Sequence, residues 1–150
     1  MTHIPTALLR LVRQRAGNCC EYCLLHEDDA FFPYEVDHII AEKHGGQTTA
    51  DNLCLSCLEC NRHKGSDIAS LDPETARVVA LFHPRRGPWD RHFRLDGPRI
   101  EPLTAEGRVT VRPLRLNDPA RLLERERLLA LGRYPGRRDA PAPKQQPTSL

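Results

Sequence analysis

Aromatic residues are scarce in this 150-residue chain: four phenylalanines, three tyrosines and one tryptophan. There is one methionine, and 13 prolines and 9 glycines interrupt whatever apolar stretches exist. Such a chain has little from which to build a core, so one small domain with decorations is expected, and a metal staple suits it. No apolar run approaches the ~20 residues that cross a bilayer, which argues against a membrane-spanning helix. The first residues lack a charged segment followed by an apolar one, so no secretory signal is read there. The expectation is a cytoplasmic chain with reduced thiols.

Charge is also unevenly spread. Residues 1–76 carry 6 basic and 12 acidic side chains, whereas residues 77–115 carry 9 arginines against 4 acids. A net positive second half suits a polyanion partner, because phosphate neutralisation releases counterions. Arg85, Arg86 and Arg91 are read as phosphate contacts. An ordinary solvated surface is the plain alternative.

Against this sparse background stand six cysteines. Four form two Cys-x2-Cys pairs, Cys20/Cys23 in "CEYC" and Cys57/Cys60 in "CLEC". Each such turn presents two sulfurs to one ion, and two turns make a closed tetrahedral zinc site. Cys19 and Cys54 are left over. Cys54 lies three positions before Cys57, so the register has an alternative. Cys57/Cys60 is preferred because Cys54 falls inside "NLCLSC", which alternates like a strand. A disulfide framework or buried free thiols would be the non-metal alternatives.

Helix and strand signals organise the rest. Residues 5–16 read as a helix stopped by Gly17. "DDAFFPYEVDHI" reads as a strand ending near Asp37 and His38. A polar loop reverses at Gly45 and Gly46. "NLCLSC" is a second strand, followed by a helix starting in "ECNRHKGSDIASL". "ARVVALF" reads as a further strand. Thr104 can cap a helix over 105–116, which Gly107 and Pro113 weaken. Asp118-Pro119 starts a helix running to Leu131 and stopping at Gly132. Trp89 and Phe93 are read as a small satellite core rather than a base-stacking platform.

Between and after the knuckles lie "VDHII", "HGG", "NL" and "CNRHKG". In this order the motifs resemble those of HNH endonucleases, the ββα-metal nucleases. "VDHIIAEKHGG", "NLCLSCLECNRHKGSD" and "LFHPR…W…HF" look like a group of compact bacterial HNH proteins. The core motif covers residues 19–66, and the wider likeness reaches residue ~134. The resemblance implies an α+β fold: a ββα-metal core with a structural zinc, an N-terminal helix and a C-terminal mixed strand and helix extension. It places the nuclease core at 1–70 and a basic extension packed on it at 71–134; the scarcity of apolar residues beyond reads as a disordered tail at 135–150.

The same resemblance implies hydrolysis of DNA phosphodiesters with Mg²⁺ or Mn²⁺. His38 would be the general base, Asp37 and Asn61 the ligands of the catalytic ion, and Asn52 the residue that ties down the loop and orients the histidine. The chemistry is coherent. A neutral imidazole can take a proton from water near working pH. Two light oxygen ligands leave room on the ion for phosphate oxygens and water. Asp37 and His38 are neighbours, so they share a site only if the strand ends or bends there. Asn61 has a bland reading as a helix cap. His63 is an alternative metal ligand. Arg62 and Lys64 are read as phosphate-binding or, about equally, as solvated surface. Two rivals remain: a zinc-stapled nucleic-acid-binding module that has lost catalysis, and a purely structural zinc protein acting through partners.

Overall fold

The computed structural model describes residues 2–136. The fold is mixed α+β, with three separate two-stranded antiparallel sheets and five helices among these residues. Helix α1 spans Thr6–Ala16, with Pro5 before its first turn and Gly17 as a left-handed stop at φ 60°. Gly17 and Asn18 donate their N–H groups back to Gln14 and Arg13 carbonyls, closing the helix end. Val12 and Ala16 are buried against the first sheet.

That sheet pairs β1 (Glu35–His38) with β2 (Leu53–Ser56) in the register Glu35↔Ser56 to His38↔Leu53. Strand β1 is much shorter than the sequence suggests. Glu27–Asp29 instead forms a 3₁₀ turn, in which His26 Nδ1 accepts the Asp28 N–H at 3.0 Å. Phe31 and Phe32 stand in solvent and Pro33 delays pairing, because proline cannot donate to a ladder. Strand β2 is buried at all four positions. Both its faces are covered, so the alternation read from "NLCLSC" does not produce an exposed side.

Helix α2 (Leu58–Lys64) follows directly, with Cys57 as its cap and Gly65 after it at φ 51°. The helix expected to start in "ECNRHKG" thus forms but ends early, and residues 69–71 turn into strand β3. Strand β3 (Ala69–Leu71) pairs with β4 (Val78–Ala80) around a turn built on Asp72. The Asp72 carboxylate accepts from Glu74 N–H and Thr75 Oγ1, and takes both guanidinium arms of Arg108 at 2.8 and 2.9 Å. A bidentate pair of this kind ties the turn to a distant helix.

Helix α3 (Trp89–His92) leads into a hairpin missed by the sequence reading, β5 (Phe93–Asp96) with β6 (Arg99–Pro102). Gly97-Pro98, with Gly97 at φ 55°, is its two-residue turn, closed by the Asp96↔Arg99 pair. Helix α4 (Ala105–Val111) does form. Thr104 Oγ1 accepts the Gly107 N–H at 3.1 Å, and the helix stops before Pro113. Gly107 is needed there: a Cβ would lie 2.3 Å from the His92 carbonyl oxygen. Helix α5 (Pro119–Ala130) starts at Asp118-Pro119 as expected.

One core cluster draws on both sides of residue 70. It joins Val12, Leu53, Leu55 and the four knuckle cysteines to Phe82, Trp89, Phe93, Ile100, Leu114 and Leu116. Trp89 and Phe93 are therefore part of the main core, not a satellite. Trp89 Nε1 donates to the Tyr22 carbonyl at 2.9 Å, inside the first knuckle. The described chain closes on the same knuckle. Tyr134 Oη donates to the Cys23 carbonyl and the Gly136 N–H to Leu24. The expected tail begins at 135, but Pro135 and Gly136 are placed here; the remainder lies outside the described residues. No described helix is long and apolar enough to cross a membrane.

Candidate active site and metal centre

The β1–β2 hairpin has two ends, and each carries a cluster. At the Glu35/Ser56 end sit the two knuckles. Their turns come from local structure: Leu24 N–H donates to Cys20 O with Leu24 at φ 65°, and Cys57 Sγ accepts the Cys60 N–H. The Glu21 N–H donates to Leu55 O, which hangs the first knuckle on β2 beside the second. The sulfurs of Cys20, Cys23, Cys57 and Cys60 lie within 4.8 Å of one another, and all four residues are buried.

A tetrahedral ion with ~2.3 Å bonds to sulfur requires S···S edges of about 3.8 Å. Cys23 and Cys57 sulfurs are 3.8 Å apart. The cluster is compatible with a structural zinc, and none of the six cysteines is in a disulfide. Hydrogen bonding to Cys20 draws Cys23 down and pushes Cys57 up, and burial pushes Cys60 up. The register uses Cys57; Cys54 lies apart in β2, with its sulfur 3.5 Å from Tyr22 Oη. Burial pushes the Cys54 thiol up to about 12.

At the other end of the hairpin lie Asp37, His38 and the loop that returns to β2. His38 Nε2 is 2.9 Å from Thr48 Oγ1 and 3.5 Å from Glu42 Oε1. The Thr48 hydroxyl also faces Glu42 Oε1 at 3.5 Å. If that hydroxyl donates to the carboxylate, its oxygen accepts from His38 Nε2–H. This assignment puts the lone pair on Nδ1. Neither Thr48 nor Glu42 was singled out from sequence; only the i,i+4 spacing of His38 and Glu42 hints at the pair.

Asn52 clamps the loop. Its Oδ1 accepts the Ile40 N–H, while Nδ2 donates to Ile40 O and Gln47 O, each at 2.9 Å. The Ile39 N–H donates to the Asn52 carbonyl at 2.8 Å. Gly46 fits under this clamp: a Cβ there would lie 1.7 Å from Ile40 O and 2.8 Å from Asn52 Nδ2.

Helix α2 packs against β1 and brings Asn61 and Lys64. Asn61 is half-buried, and its carboxamide makes no hydrogen bond among the described residues. Lys64 is 3% exposed and donates from Nζ to the Ile39 carbonyl at 2.8 Å. It lies one turn from Cys60, on the face that packs inward, so its ammonium does not reach out toward a phosphate as the sequence reading had it. Its charge is nonetheless felt by Asp37. Burial raises the Asp37 pKa above the usual carboxylate range, against the opposing pull of Lys64 and of His38. Burial likewise lowers Lys64, against the pull of Asp37. His63 turns along its helix to Glu59 Oε2 at 3.2 Å. Arg62 is exposed.

Asp37 offers a half-buried carboxylate and Asn61 an uncommitted amide oxygen. These are hard oxygen donors of the kind magnesium takes, and a divalent ion would relieve the desolvated carboxylate. The donor chemistry fits.

Beside the clamped loop opens a groove of about 570 Å³, lined by Ile40, Gly46, Asn52, His83 and Arg86 among others. His83 Nδ1 accepts the Arg85 N–H at 3.1 Å, which leaves Nε2–H as the donor. Burial, with Arg86 nearby, holds His83 below its usual pKa. Arg85 itself turns inward and pairs with Glu21. It therefore buttresses the first knuckle, whereas Arg86 and Arg91 are exposed.

Residues 20–67 match the family model described as HNH endonuclease, about a third of the chain. No curated protein and no solved structure matches the chain. The matched segment runs from the first knuckle cysteine past the end of α2, and so contains both ends of the hairpin.

Proposed function

We propose that this chain is a metal-dependent HNH endonuclease that hydrolyses DNA phosphodiester bonds, leaving 5′-phosphate and 3′-hydroxyl ends. The observation that carries the reading is Asp37 and His38 at the open end of a hairpin whose other end is the cysteine cluster, within a segment matching the HNH endonuclease model. Zinc held by Cys20, Cys23, Cys57 and Cys60 is structural. Asp37 and Asn61 hold one Mg²⁺ or Mn²⁺.

When bound, the divalent ion offsets charge on the phosphate and on the departing 3′-oxygen. His38 Nδ1 takes the proton of the attacking water. Thr48 and Glu42 hold Nε2–H, which fixes the ring and favours the imidazolium that forms. Asn52 is a positioning residue: its amide closes the loop that carries Thr48 and touches no substrate. Lys64 opposes the burial that raises the Asp37 pKa, and its ammonium holds the Ile39 carbonyl next to His38. Cys60 precedes Asn61 directly, so the zinc centre sets where α2 begins and hence where Asn61 lies.

Residues 1–70 form the nuclease core in this reading, and 71–134 a basic extension that adds affinity. In this reading exposed Arg86 and Arg91, with Nε2–H of His83, meet backbone phosphates. A four-thiolate zinc centre suits the reducing cytoplasm.

A plasmid-nicking assay with Mg²⁺ tests the reading. His38→Ala should cleave at least ~100-fold more slowly, with fold and zinc intact. Near-normal cleavage by this variant would remove the mechanism. Binding of DNA without cleavage by the wild-type protein would turn the reading into that of an inactive zinc-stapled binding module.

A further inference from the structure

Helix α5 sends one cation into the cysteine cluster. Arg121 Nη2 lies 3.1 Å from Cys60 Sγ and 3.8 Å from Cys57 Sγ. Its Nη1 donates to the Leu114 carbonyl at 3.0 Å, which orients the fork. A cavity of about 420 Å³ opens on the same face, lined by Cys23, Cys57, Arg121, Phe31 and Phe32 among others. This is the side from which a competing ligand could approach an ion held by the sulfurs.

We infer that Arg121 is an outer-sphere partner of the zinc centre: it hydrogen-bonds the Cys57 and Cys60 thiolates and slows loss of the metal through that cavity. The inference rests on the cluster holding zinc. Four thiolates around one divalent ion carry a net charge of about −2, and a buried site must offset it. A guanidinium cancels part of that charge, its N–H···S bonds withdraw electron density from two sulfurs and make them poorer targets for protons, and its bulk stands where a chelator would reach the ion. Groups that bond to metal ligands in this way commonly set metal affinity by 10–100-fold. The arrangement also makes the extension part of the zinc site, since the residue comes from α5 and not from either knuckle.

The test uses cobalt(II) in place of zinc, with the full chain carrying Arg121→Met, Arg121→Gln or Arg121→Lys. Hydrogen bonds to a thiolate raise the energy of its charge transfer to cobalt. The thiolate bands should therefore move to longer wavelength in Arg121→Met, and less in the Gln and Lys variants, which retain a donor. Zinc affinity, measured against a competing chelator, should fall ~10–100-fold. Arg125→Gln is the control. It loosens the same helix by removing bonds to Pro98 and Leu116 carbonyls, yet touches no thiolate; its bands should stay in place. If Arg121→Met does not fold, the Gln and Lys variants carry the comparison. Wild-type bands with no change in any Arg121 variant, or the same shift in Arg125→Gln, would overturn the inference alone. Absence of thiolate bands in the wild-type protein would overturn the zinc reading and this inference with it.

Discussion

The two ends of the β1–β2 hairpin are built on opposite rules. At the knuckle end every side chain that matters is buried, soft and directed at one point. At the other end the side chains are half-exposed and hard, and the groups that hold them range from buried Asn52 and Lys64 to exposed Glu42. There Asn52 locks the loop, Lys64 holds the Ile39 carbonyl, and Thr48 with Glu42 holds His38. A closed end cannot admit a substrate, and an open end cannot hold its own shape. The hairpin is short enough for the first to lend rigidity to the second, and β2 passes it on through four buried residues.

Removing the closed end should have the largest effect. Cys57→Ser takes away a sulfur and the cap of α2 together. Metal analysis should fall well below one zinc per chain, and the thermal transition should drop sharply, because binding energy here is folding energy. Cleavage should disappear with it. A variant that kept zinc and stability would show that the two ends are independent.

Damage confined to the open end should be smaller. Gly46→Ala forces a methyl group into the Ile40 backbone and the Asn52 amide. Denaturant unfolding should show a loss of ~1–3 kcal/mol, typical of overpacking. Cleavage should fall while zinc stays bound. Equal loss of zinc would mean that strain crosses the hairpin and the comparison is too sharp.

A change outside both ends should be the mildest. Arg86→Gln leaves the clusters and the core untouched. Fluorescence anisotropy should show DNA affinity weakened several-fold across sequences. The salt slope should flatten by about 0.9 for each phosphate that is no longer neutralised. Turnover at saturating DNA should barely change. An unaltered slope would mean that the exposed arginines face something other than phosphate.

How much of this could be read from the sequence follows the same division. The knuckles were legible because a Cys-x2-Cys turn is a local object whose chemistry depends on spacing alone. Helix starts were legible for the same reason: Asp118-Pro119 and Thr104 act within one turn of themselves. The residues behind the open end were not. Lys64 reads as a surface cation until α2 packs on β1. Arg85 reads as a phosphate ligand until Glu21 is brought beside it. Arg121 stands 61 positions from the sulfur it touches, and no pattern in α5 marks it. The β5–β6 hairpin had a turn signal in Gly97-Pro98, but arginines at Arg94 and Arg99 hid the alternation of its strands.

The return of the described chain to its first knuckle sets an order of assembly. Tyr134 Oη closes on the Cys23 carbonyl across 111 positions. On a ribosome Cys60 emerges long before Tyr134, so the four sulfurs can gather metal while Tyr22, Cys23 and Leu24 still lack their covering from Trp89, Tyr134 and Gly136. Domains tend to fold from the N-terminal side during synthesis. Metal capture would come first and burial of the knuckle later, leaving a nascent chain loaded but uncovered until Tyr134 and Gly136 dock.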